Sequence, residues 1–331
     1  MHSNKKNYNN LKTLTIIKQK YKYLIAAQAL AMMTQSSCIS DDFDPEAVRL
    51  SVEGLGSNAT TRAASTDALQ NTQFESGLGI QVEVYPTGAT STYSTAVYNT
   101  TSTTGSTSGS ILLSPASTPI YYHPTSNIDI CAFYPSSVVS ASTTTFTVNA
   151  DQTTSGIANY QSSDLMYATK LTNRAKGSIH GLTFNHAMSQ IIVNLQAGTG
   201  LTDDDITTNV TAVKINNTIP TANLEFAVDG SVPTGVVTAT ASGSVGDIDI
   251  TGDKASNVGI IVPQTVTSGT TLFTITYNSN NYTYALTANQ TFAAGNKYTY
   301  TFTLNLAGLQ LESVTINDWT AGGIESSDIP L

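Results

Sequence analysis

The sequence is poor in cysteine and in charged residues, and both shortages bear on the fold. Only Cys38 and Cys131 are present among the 331 residues, so no framework of disulfide bonds holds the fold together. Charged residues are 11% of the chain, and much of it is a mixture of Thr, Ser, Asn, Gly and Tyr. Because β-branched and aromatic side chains suit a pleated surface, this composition predicts strands and turns and disfavours helices.

Positive charge is scarce after the first 22 residues, which hold six of the 14 basic residues. All 23 acidic residues follow Cys38, so a chain cut there keeps eight basic residues and a formal net charge of −15. A polyanion of this kind repels nucleic acid and anionic lipid surfaces, because both are negatively charged. We therefore expect no nucleic-acid partner.

Residues 1–37 have the layout of a secretory signal peptide. A basic stretch is followed by an apolar run over residues 23–33, which is too short to cross a bilayer. Ser36 and Ser37 stand directly before Cys38, an arrangement that resembles a bacterial lipobox. We predict cleavage before Cys38 and acylation of its thiol. The lipid partner is then the outer membrane, since several acyl chains on one cysteine anchor a protein firmly.

Residues 38–47 are predicted to form an acidic linker after the lipidated cysteine. Ser40 is followed by Asp41, Asp42 and Asp44. An acidic cluster at this distance from the cysteine resembles the surface-export signal of Bacteroidota lipoproteins, which implies a lipoprotein on the outer face of the outer membrane. The alternative is an ordinary solvated linker.

From about residue 48 the chain divides into short segments in which apolar and polar residues alternate. The alternation is clearest in residues 298–304, where aromatic or aliphatic side chains alternate with threonines. A period of two indicates a strand with one buried and one solvated face. Residues 278–281 (NSNN) between two such segments indicate a hairpin. The one helical turn expected lies at residues 202–206, capped by Thr202.

The predicted fold class is all-β, with antiparallel β-sandwich domains in tandem. The length suits two domains of ordinary size, and strands without crossover helices between them favour antiparallel sandwiches. Arg174, Lys176 and Gly177 interrupt the strand pattern. We therefore place an N-terminal domain at residues 48–176 and a C-terminal domain at residues 177–331.

The chain lacks the short motifs that mark common catalytic sites, so we expect neither an enzyme nor a cofactor. It contains no His-Glu-x-x-His, no Gly-x-Ser-x-Gly and no glycine loop of a phosphate site. His180 and His186 share strand parity and His123 follows two tyrosines, but their spacing does not supply the ligands of a zinc site. His186 is expected at a sheet edge, with its ring hydrogen-bonded.

Two other groups of residues are assigned to structure. Asp247, Asp249 and Asp253 lack the regular spacing of a calcium loop and are expected in a solvated turn. Cys131 lies in an apolar run and is expected to be a small buried core residue. We therefore predict no metal site.

Seven short motifs follow one another along the chain. They are residues 60–62 (TTR), 130–135 (ICAFYP), 163–168 (SDLMYA), 182–189 (LTFNHAMS), 260–264 (IIVPQ), 292–300 (FAAGNKYTY) and 316–319 (INDW). Each motif is weak alone, but their order resembles that of the fimbrillin, or Mfa-like, pilin family of Bacteroidales, which builds type V pili. The resemblance covers essentially the whole chain after the linker.

The resemblance implies a structural or tip subunit of an adhesive pilus, with two transthyretin-like sandwich domains. Such a pilin arrives as a lipoprotein, and an arginine-specific or trypsin-like protease cuts the loop after its first strand. The lost strand leaves a groove, which the C-terminal strand of a neighbouring subunit fills. The partners are therefore other pilin subunits, joined head to tail, and the mature form lies in an extracellular pilus.

Carried onto this sequence, the resemblance assigns a role to each end of the folded chain. The removable strand is residues 48–55, with Val48, Leu50 and Val52 pointing inward. The cut follows Arg62, and Arg49 is the second choice because it lies inside the strand. The donor strand comes from residues 309–319 or from the tail beyond, with these candidate residues: Leu311, Val314, Ile316 and Trp319. Trp319 is alternatively a core anchor.

A second hypothesis is a monomeric surface lipoprotein that binds a host or dietary glycan. Tyrosines can stack on sugar rings, and the sequence offers Tyr93, Tyr98, Tyr121 and Tyr122. A secreted hydrolase is the third hypothesis, although no motif points to one. A stable monomer after proteolytic cutting would favour the glycan-binding module.

Overall fold

The computed structural model describes residues 47–55, 74–101, 110–319 and 327–328. Within these residues nearly all regular structure is β, which confirms the predicted all-β class. The exceptions are a 3-10 turn, Thr154–Gly156, and two helices of seven residues, α1 (Ile157–Ser163) and α2 (Asp203–Asn209). No helix among the described residues is long and apolar enough to span a bilayer.

The strands are numbered in chain order. They are β1 (Arg49–Leu55), β2 (Gly79–Pro86), β3 (Ser94–Thr100), β4 (Ile111–Pro115), β5 (Ile128–Tyr134), β6 (Thr145–Thr147), β7 (Met166–Ala168), β8 (Leu171–Arg174), β9 (Ile179–His186), β10 (Ser189–Ala197), β11 (Val210–Thr218), β12 (Thr221–Asp229), β13 (Val232–Ala241), β14 (Gly246–Asp249), β15 (Ser256–Ile261), β16 (Gln264–Val266), β17 (Thr271–Tyr277), β18 (Asn280–Ala285), β19 (Gln290–Phe292), β20 (Asn296–Asn305), β21 (Gly308–Asp318) and β22 (Ser327–Asp328).

The N-terminal strands form a sheet that closes on itself. The order of hydrogen-bonded neighbours is β2, β3, β4, β1, β9, β7 and β5, and β5 pairs again with β2. The eighth strand, β8, adds to β5. Closure removes free sheet edges, so every strand in the ring has a hydrogen-bonded neighbour on both sides. Any strand taken out of this ring therefore leaves two open edges.

The C-terminal strands form several smaller sheets. The largest has the order β15, β10, β20, β21, β22, and a second has the order β14, β11, β17, β18. Strands β13, β12 and β6 form a third sheet, and β16 pairs with β19. Strand β10 is parallel to β20, and all other pairings in these sheets are antiparallel.

Strand β5 lies between two hydrophobic clusters, which explains its continuous apolar sequence. Every residue of β5 is buried. Ile130 and Ala132 belong to the cluster inside the closed sheet, whereas Cys131 and Phe133 belong to the cluster of the C-terminal sheets. Cys131 is fully buried, as the sequence predicted, and burial raises the pKa of its thiol to about 12. A strand buried on both faces cannot show alternation.

Strand β9 lies beyond the predicted domain boundary but belongs to the N-terminal sheet. It begins after residue 177, yet it pairs with β1 and β7 in the closed sheet, and its Leu182 and Phe184 belong to the N-terminal cluster. The next strand, β10, contributes to the C-terminal cluster. The change of cluster falls between Phe184 and Ala187, since Ala187 and Met188 already belong to the C-terminal cluster. The division of the chain into tandem domains stays a prediction.

Two local predictions are confirmed. Thr202 caps α2: the Asp205 N–H donates to its hydroxyl at 3.3 Å, and its own N–H donates to the Asp205 carboxylate at 2.8 Å. The turn between β17 and β18 contains Asn278 and Ser279, both with positive φ, at 47° and 64°. Two left-handed residues give the turn whose twist matches a β-hairpin.

Truncating Phe133 should destabilise the fold strongly, because its ring packs edge-on against Phe226 with centroids 5.2 Å apart. Phe133→Ala is expected to lower the free energy of unfolding by about 3–5 kcal/mol. The control is Leu112→Ala on β4, whose side chain is 52% exposed, with an expected change of at most about 0.5 kcal/mol. Denaturant titration measures both. An equal loss of unfolding free energy in the two variants would contradict a core role for Phe133.

Candidate functional site: the first strand and its groove

Strand β1 occupies the gap between β4 and β9 in the closed sheet. It runs antiparallel to β4, with Leu50 opposite Leu113, and parallel to β9, with Leu50 opposite His180. The three residues predicted to point inward, Val48, Leu50 and Val52, are all buried. The predicted strand is thus an integral part of the N-terminal core.

The start of β1 is held by backbone and hydroxyl hydrogen bonds. The Val48 N–H donates to the Ile120 carbonyl at 2.7 Å, and the Tyr98 hydroxyl donates to the Val48 carbonyl at 3.2 Å. The same hydroxyl accepts the Ile120 N–H at 3.0 Å. Tyr98 therefore bridges β1 to the segment before residue 121, from inside the core.

A β-bulge divides β1. Val52 pairs with Leu182 and Gly54 with Thr183, so Glu53 is the additional residue on the β1 side. The bulge lets Leu55, three residues after Val52, also point into the core, where it is fully buried. The sequence pattern alone gave no sign of this, because a strict period of two places residue 55 on the outer face.

The outer face of β1 is polar and lies between two exposed aliphatic residues. Arg49 donates from Nη2 to the Gly177 carbonyl at 3.1 Å. The Glu53 side chain lies across Gly181, where a Cβ would overlap it. Leu112 on β4 and Ile179 on β9 are 52% and 49% exposed. Arg49, the second choice for the cut, is thus a strand residue whose side chain is bonded.

A buried polar pair lies on the groove wall beside Leu50. The Tyr122 hydroxyl and His180 Nε2 are 2.6 Å apart, and both side chains are buried. Burial lowers the pKa of His180 below its ordinary value, and the positive charges of Arg174 and Arg49 lower it further. The folded structure therefore favours the neutral form of His180. Sequence reasoning considered His180 only as a metal ligand.

Two of the four tyrosines considered for sugar binding are core residues. Tyr98 and Tyr122 are buried, and their hydroxyls bond to partners far away in the sequence. Tyr93 and Tyr121 remain on the surface, and the Tyr93 ring lies 4.9 Å from that of His123. Of the four tyrosines, only Tyr93 and Tyr121 are therefore exposed enough to stack on a sugar.

Three motif residues meet where the two clusters join. His186 stacks on Trp319, with ring centroids 3.8 Å apart and planes at 6°, and its Nδ1 lies 2.9 Å from an oxygen of Asp164. All three side chains are buried. The ring of His186 is hydrogen-bonded, as expected, but β9 lies between β1 and β7, so the expected position at a sheet edge was wrong. Burial raises the pKa of the Asp164 carboxyl, and the neighbouring His186 offsets part of that rise.

The donor-strand candidates lie on β21 or just after it. Leu311, Val314 and Ile316 are only partly buried against the C-terminal cluster, whereas Trp319 is fully buried. The backbone N–H of Trp319 also donates to the Gly295 carbonyl at 2.6 Å. Trp319 therefore anchors the end of β21 in the core, which was the alternative considered for it.

Other sequence predictions lie outside the described residues or find no site. Cys38, the acidic linker up to residue 46, and Arg62 are outside the part of the chain that the structure describes. Within that part, no group of three His, Cys, Asp or Glu side chains is placed to hold a metal ion. Asp249 accepts hydrogen bonds from Thr251, and Asp253 from the Ser256 N–H, as in a local turn.

Comparison with known proteins identifies a matching family and a related protein. Residues 61–319 match the model of the family described as fimbrillin-like. A curated protein of Bacteroides uniformis, named as a candidate fimbrium subunit, Fim1C, is 26% identical over 256 residues, which are 75% of this chain and 80% of that protein.

Two solved structures share the fold. Both carry the description of a candidate cell adhesion protein. The structure from Bacteroides uniformis has a TM-score of 0.60 and 24% identity, and covers 82% of this chain and 99% of its own. The structure from Bacteroides ovatus has a TM-score of 0.54 and 17% identity, and covers 84% and 99%. At these identities the two structures support the fold alone.

His180 should make stability depend on pH. Its pKa is lowered in the folded chain, so as the pH falls below 6.5 the unfolded chain binds a proton that the folded chain does not. The free energy of unfolding should therefore fall on acidification from pH 6.5, with a limiting slope of about 1.4 kcal/mol per pH unit. His180→Gln should flatten this slope, whereas the control His123→Gln should retain it. An unchanged slope in His180→Gln would show that His180 does not cause the pH dependence of stability.

Asp164 should stabilise the junction by bonding the buried His186. Asp164→Ala is expected to cost about 1–3 kcal/mol, because Nδ1 loses its partner without access to water. Asp164→Asn keeps an acceptor oxygen and should cost less. Trp319 is the only tryptophan, so its fluorescence reports the transition at this position. Equal losses in the two variants would show that the hydrogen bond contributes nothing.

Proposed function

We propose, since the chain belongs to the fimbrillin-like family, that it is a subunit of an adhesive pilus at the bacterial surface. The observation that carries the proposal is the place of β1: it closes a seven-stranded ring and is followed within seven residues by Arg62. Cutting after Arg62 would separate this strand from the remaining chain. The Fim1C protein is named as a fimbrium subunit, which supports the same class of function.

The proposed maturation begins with a lipoprotein precursor. Acylated Cys38 anchors the precursor in the outer membrane, and the acidic linker directs it to the outer face. An arginine-specific or trypsin-like protease then cuts after Arg62. The mature subunit, with two sandwich domains in tandem, enters an extracellular pilus as a structural or tip subunit.

Loss of β1 would leave a groove with two kinds of unsatisfied surface. The facing edges of β4 and β9 would expose backbone donors and acceptors, and Ile111, Leu113, Leu182 and Phe184 would lose apolar contacts. A strand from another subunit satisfies both by β-augmentation. In the proposed exchange, that strand comes from residues 309–319 or from the tail beyond.

The expected contact is strong enough to be long-lived. About six backbone hydrogen bonds contribute roughly 1 kcal/mol each. Three or four buried aliphatic side chains contribute about 2 kcal/mol each, so the gross gain exceeds about 10 kcal/mol. Ordering the incoming strand offsets part of that gain. Because groove and donor are different surfaces, subunits join head to tail and the contact propagates instead of closing a dimer.

Arg62→Ala should prevent assembly, because it removes the residue at which the first strand is released. After treatment with an arginine-specific protease, the unaltered precursor should form SDS-resistant ladders on gels, while the variant should remain a monomer. Arg174→Ala, which changes an exposed arginine of β8, is the matched control and should assemble normally. Arg49→Ala tests whether the protease cuts after Arg49, the second choice for the cleavage position.

Substituting Arg62 by Lys separates the two classes of protease. Trypsin cuts after either residue, so Arg62→Lys should still assemble with trypsin and should fail with an arginine-specific enzyme. Ladders formed by Arg62→Ala would rule out release at this position. A stable monomer from the cut, unaltered chain would favour the glycan-binding alternative.

A further inference from the structure

Three connections form one end of the closed sheet, and none of them contains an acidic residue. They are residues 87–93 between β2 and β3, 116–127 between β4 and β5, and 175–178 between β8 and β9. Pro86 pairs with Ile128, and Ile128 pairs with Arg174, so the three connections meet at the same end. A chain with 23 acidic residues therefore has one end whose connections carry no negative side chain.

We call this surface the distal end, because it lies at the far end of β9 from the junction with the C-terminal sheets. Strand β9 begins at the distal end with Ile179 and finishes at His186, which stacks on Trp319. Residues 124–127 and 172–179 are all exposed. The distal end is therefore a surface of the folded chain that a ligand can reach.

The basic residues of the N-terminal half lie at the distal end. Between residues 63 and 213 the only Lys or Arg residues are Lys170, Arg174 and Lys176. Lys170 lies 3.5 Å from the carboxylate of the buried Asp129, to which the Asn173 N–H also donates at 2.9 Å. The charge of Asp129 is therefore matched internally. Arg174 and Lys176 are exposed and give the distal end a local positive charge.

Three aromatic side chains share the distal end. Tyr93 and Tyr121 are 42% and 39% exposed. The His123 ring lies edge-on to the Tyr93 ring, with centroids 4.9 Å apart. Tyr122 separates Tyr121 from His123 and is buried, so alternation along the chain places its two neighbours on the outside. Exposed tyrosine rings offer a flat apolar face together with a polar hydroxyl.

Two exposed amides join the aromatic side chains to the basic ones. Asn127 Nδ2 donates to Asn173 Oδ1 at 2.9 Å. Asn127 ends the connection that carries Tyr121 and His123, and Asn173 directly precedes Arg174. Each amide has a second polar atom, an oxygen on one and a nitrogen on the other, that can bond to a ligand hydroxyl. Ring faces, amides and positive charge are thus combined on one surface.

We propose that the distal end binds a sugar ring that carries one carboxylate, as the terminal unit of an acidic glycan. The guanidinium of Arg174 and the ammonium of Lys176 pair with the carboxylate. The rings of Tyr93 and Tyr121 contact the apolar faces of the sugars, and the two amides bond to hydroxyls. The inference rests on the adhesive part of the proposed function and gives the chemical class of the ligand.

The overall charge of the chain favours a ligand with few charges. A chain cut at Cys38 has a formal net charge of −15, so it repels a polyanion as a whole. At physiological ionic strength charges act over roughly 8 Å, so a single carboxylate is influenced mainly by the basic side chains beside it. A sparsely charged glycan is therefore favoured over a polysulfated one, a nucleic acid or an anionic lipid surface.

The site is compatible with the proposed maturation. Every residue assigned to it follows Arg62, so the proposed cut would retain all of them. A pilus would then carry one distal site per subunit. Several weak sites on one fibre hold a sugar-coated surface far more tightly than one site does, because each later contact is intramolecular.

Sugar binding can be measured apart from assembly on the Arg62→Ala precursor. NMR titration at low salt compares 3′-sialyllactose with lactose, and a xylotriose bearing one glucuronic acid with plain xylotriose. The two pairs carry the same chemistry from a host and from a dietary source. We expect at least one acidic sugar to bind at least roughly tenfold more tightly than its neutral counterpart, because only the acidic sugar pairs with the basic side chains. Equal binding within both pairs, or no binding, would overturn the proposal.

Heparin is the polyanionic probe. We expect it to bind more weakly than the acidic sugar that binds best, because the negative chain repels it. Tighter binding of heparin would identify a general polyanion site and contradict the proposed ligand class.

Variants test the two kinds of contact. Arg174→Gln should weaken binding of the acidic sugar by roughly tenfold. Lys214→Gln on β11 removes the same charge from a C-terminal sheet and is the matched control, which should bind unchanged. Tyr93→Ala should weaken binding by roughly fivefold, whereas Tyr93→Phe keeps the ring and should bind within roughly twofold of the unaltered chain. Equal losses in Arg174→Gln and Lys214→Gln would show that net charge alone matters and would overturn the site.

The outcomes separate this inference from the function on which it rests. In the chain that retains Arg62, Arg174→Gln should still form SDS-resistant ladders after proteolysis, although it has lost the acidic sugar. A chain that binds the sugar but forms no ladders would retain the site and refute the pilus. Ladders from a chain that binds none of the sugars would support the pilus and refute the site.

Discussion

The N-terminal half of the fold depends on one constraint: a strand must lie between β4 and β9. Both neighbours direct backbone donors and acceptors into the gap, and the core beneath it is apolar, so neither surface tolerates water. In the precursor the chain's own β1 meets both needs. The proposed function relies on the same constraint, because a strand with the right pattern and bulge would satisfy the same groups.

Contacts that do not involve β1 also join the closed sheet to the C-terminal sheets. Strand β5 is buried on both faces and joins the two hydrophobic clusters independently of β1. Near the end of β9, His186 is fixed between Asp164 and Trp319. These contacts join strands of the closed sheet to the C-terminal sheets, and none of them would be broken by the proposed removal of β1.

Sequence pattern predicted strands well wherever one face meets water. Residues 298–304 alternate strictly and lie in β20, and Val48, Leu50 and Val52 were placed inward correctly. The sequence pattern did not predict burial where the hydrogen-bond partners are distant in sequence. Tyr98 and Tyr122 bond to residues 50 and 58 positions away, and no local signal marks a hydroxyl as buried. The basic turn before β9, where the domain boundary was predicted, is followed by a strand that pairs with β1, and the domain division stays a prediction.

The mixed surroundings of β1 determine the direction in which it can be replaced. Its antiparallel ladder to β4 and its parallel ladder to β9 space their hydrogen bonds differently, so a reversed strand would meet both edges out of phase. Under the proposed function, every joint made in this groove would have the same sense from N to C terminus. A filament built from such joints would have two chemically distinct ends, one with an empty cleft and one with an unused strand, and it would elongate by different chemistry at each.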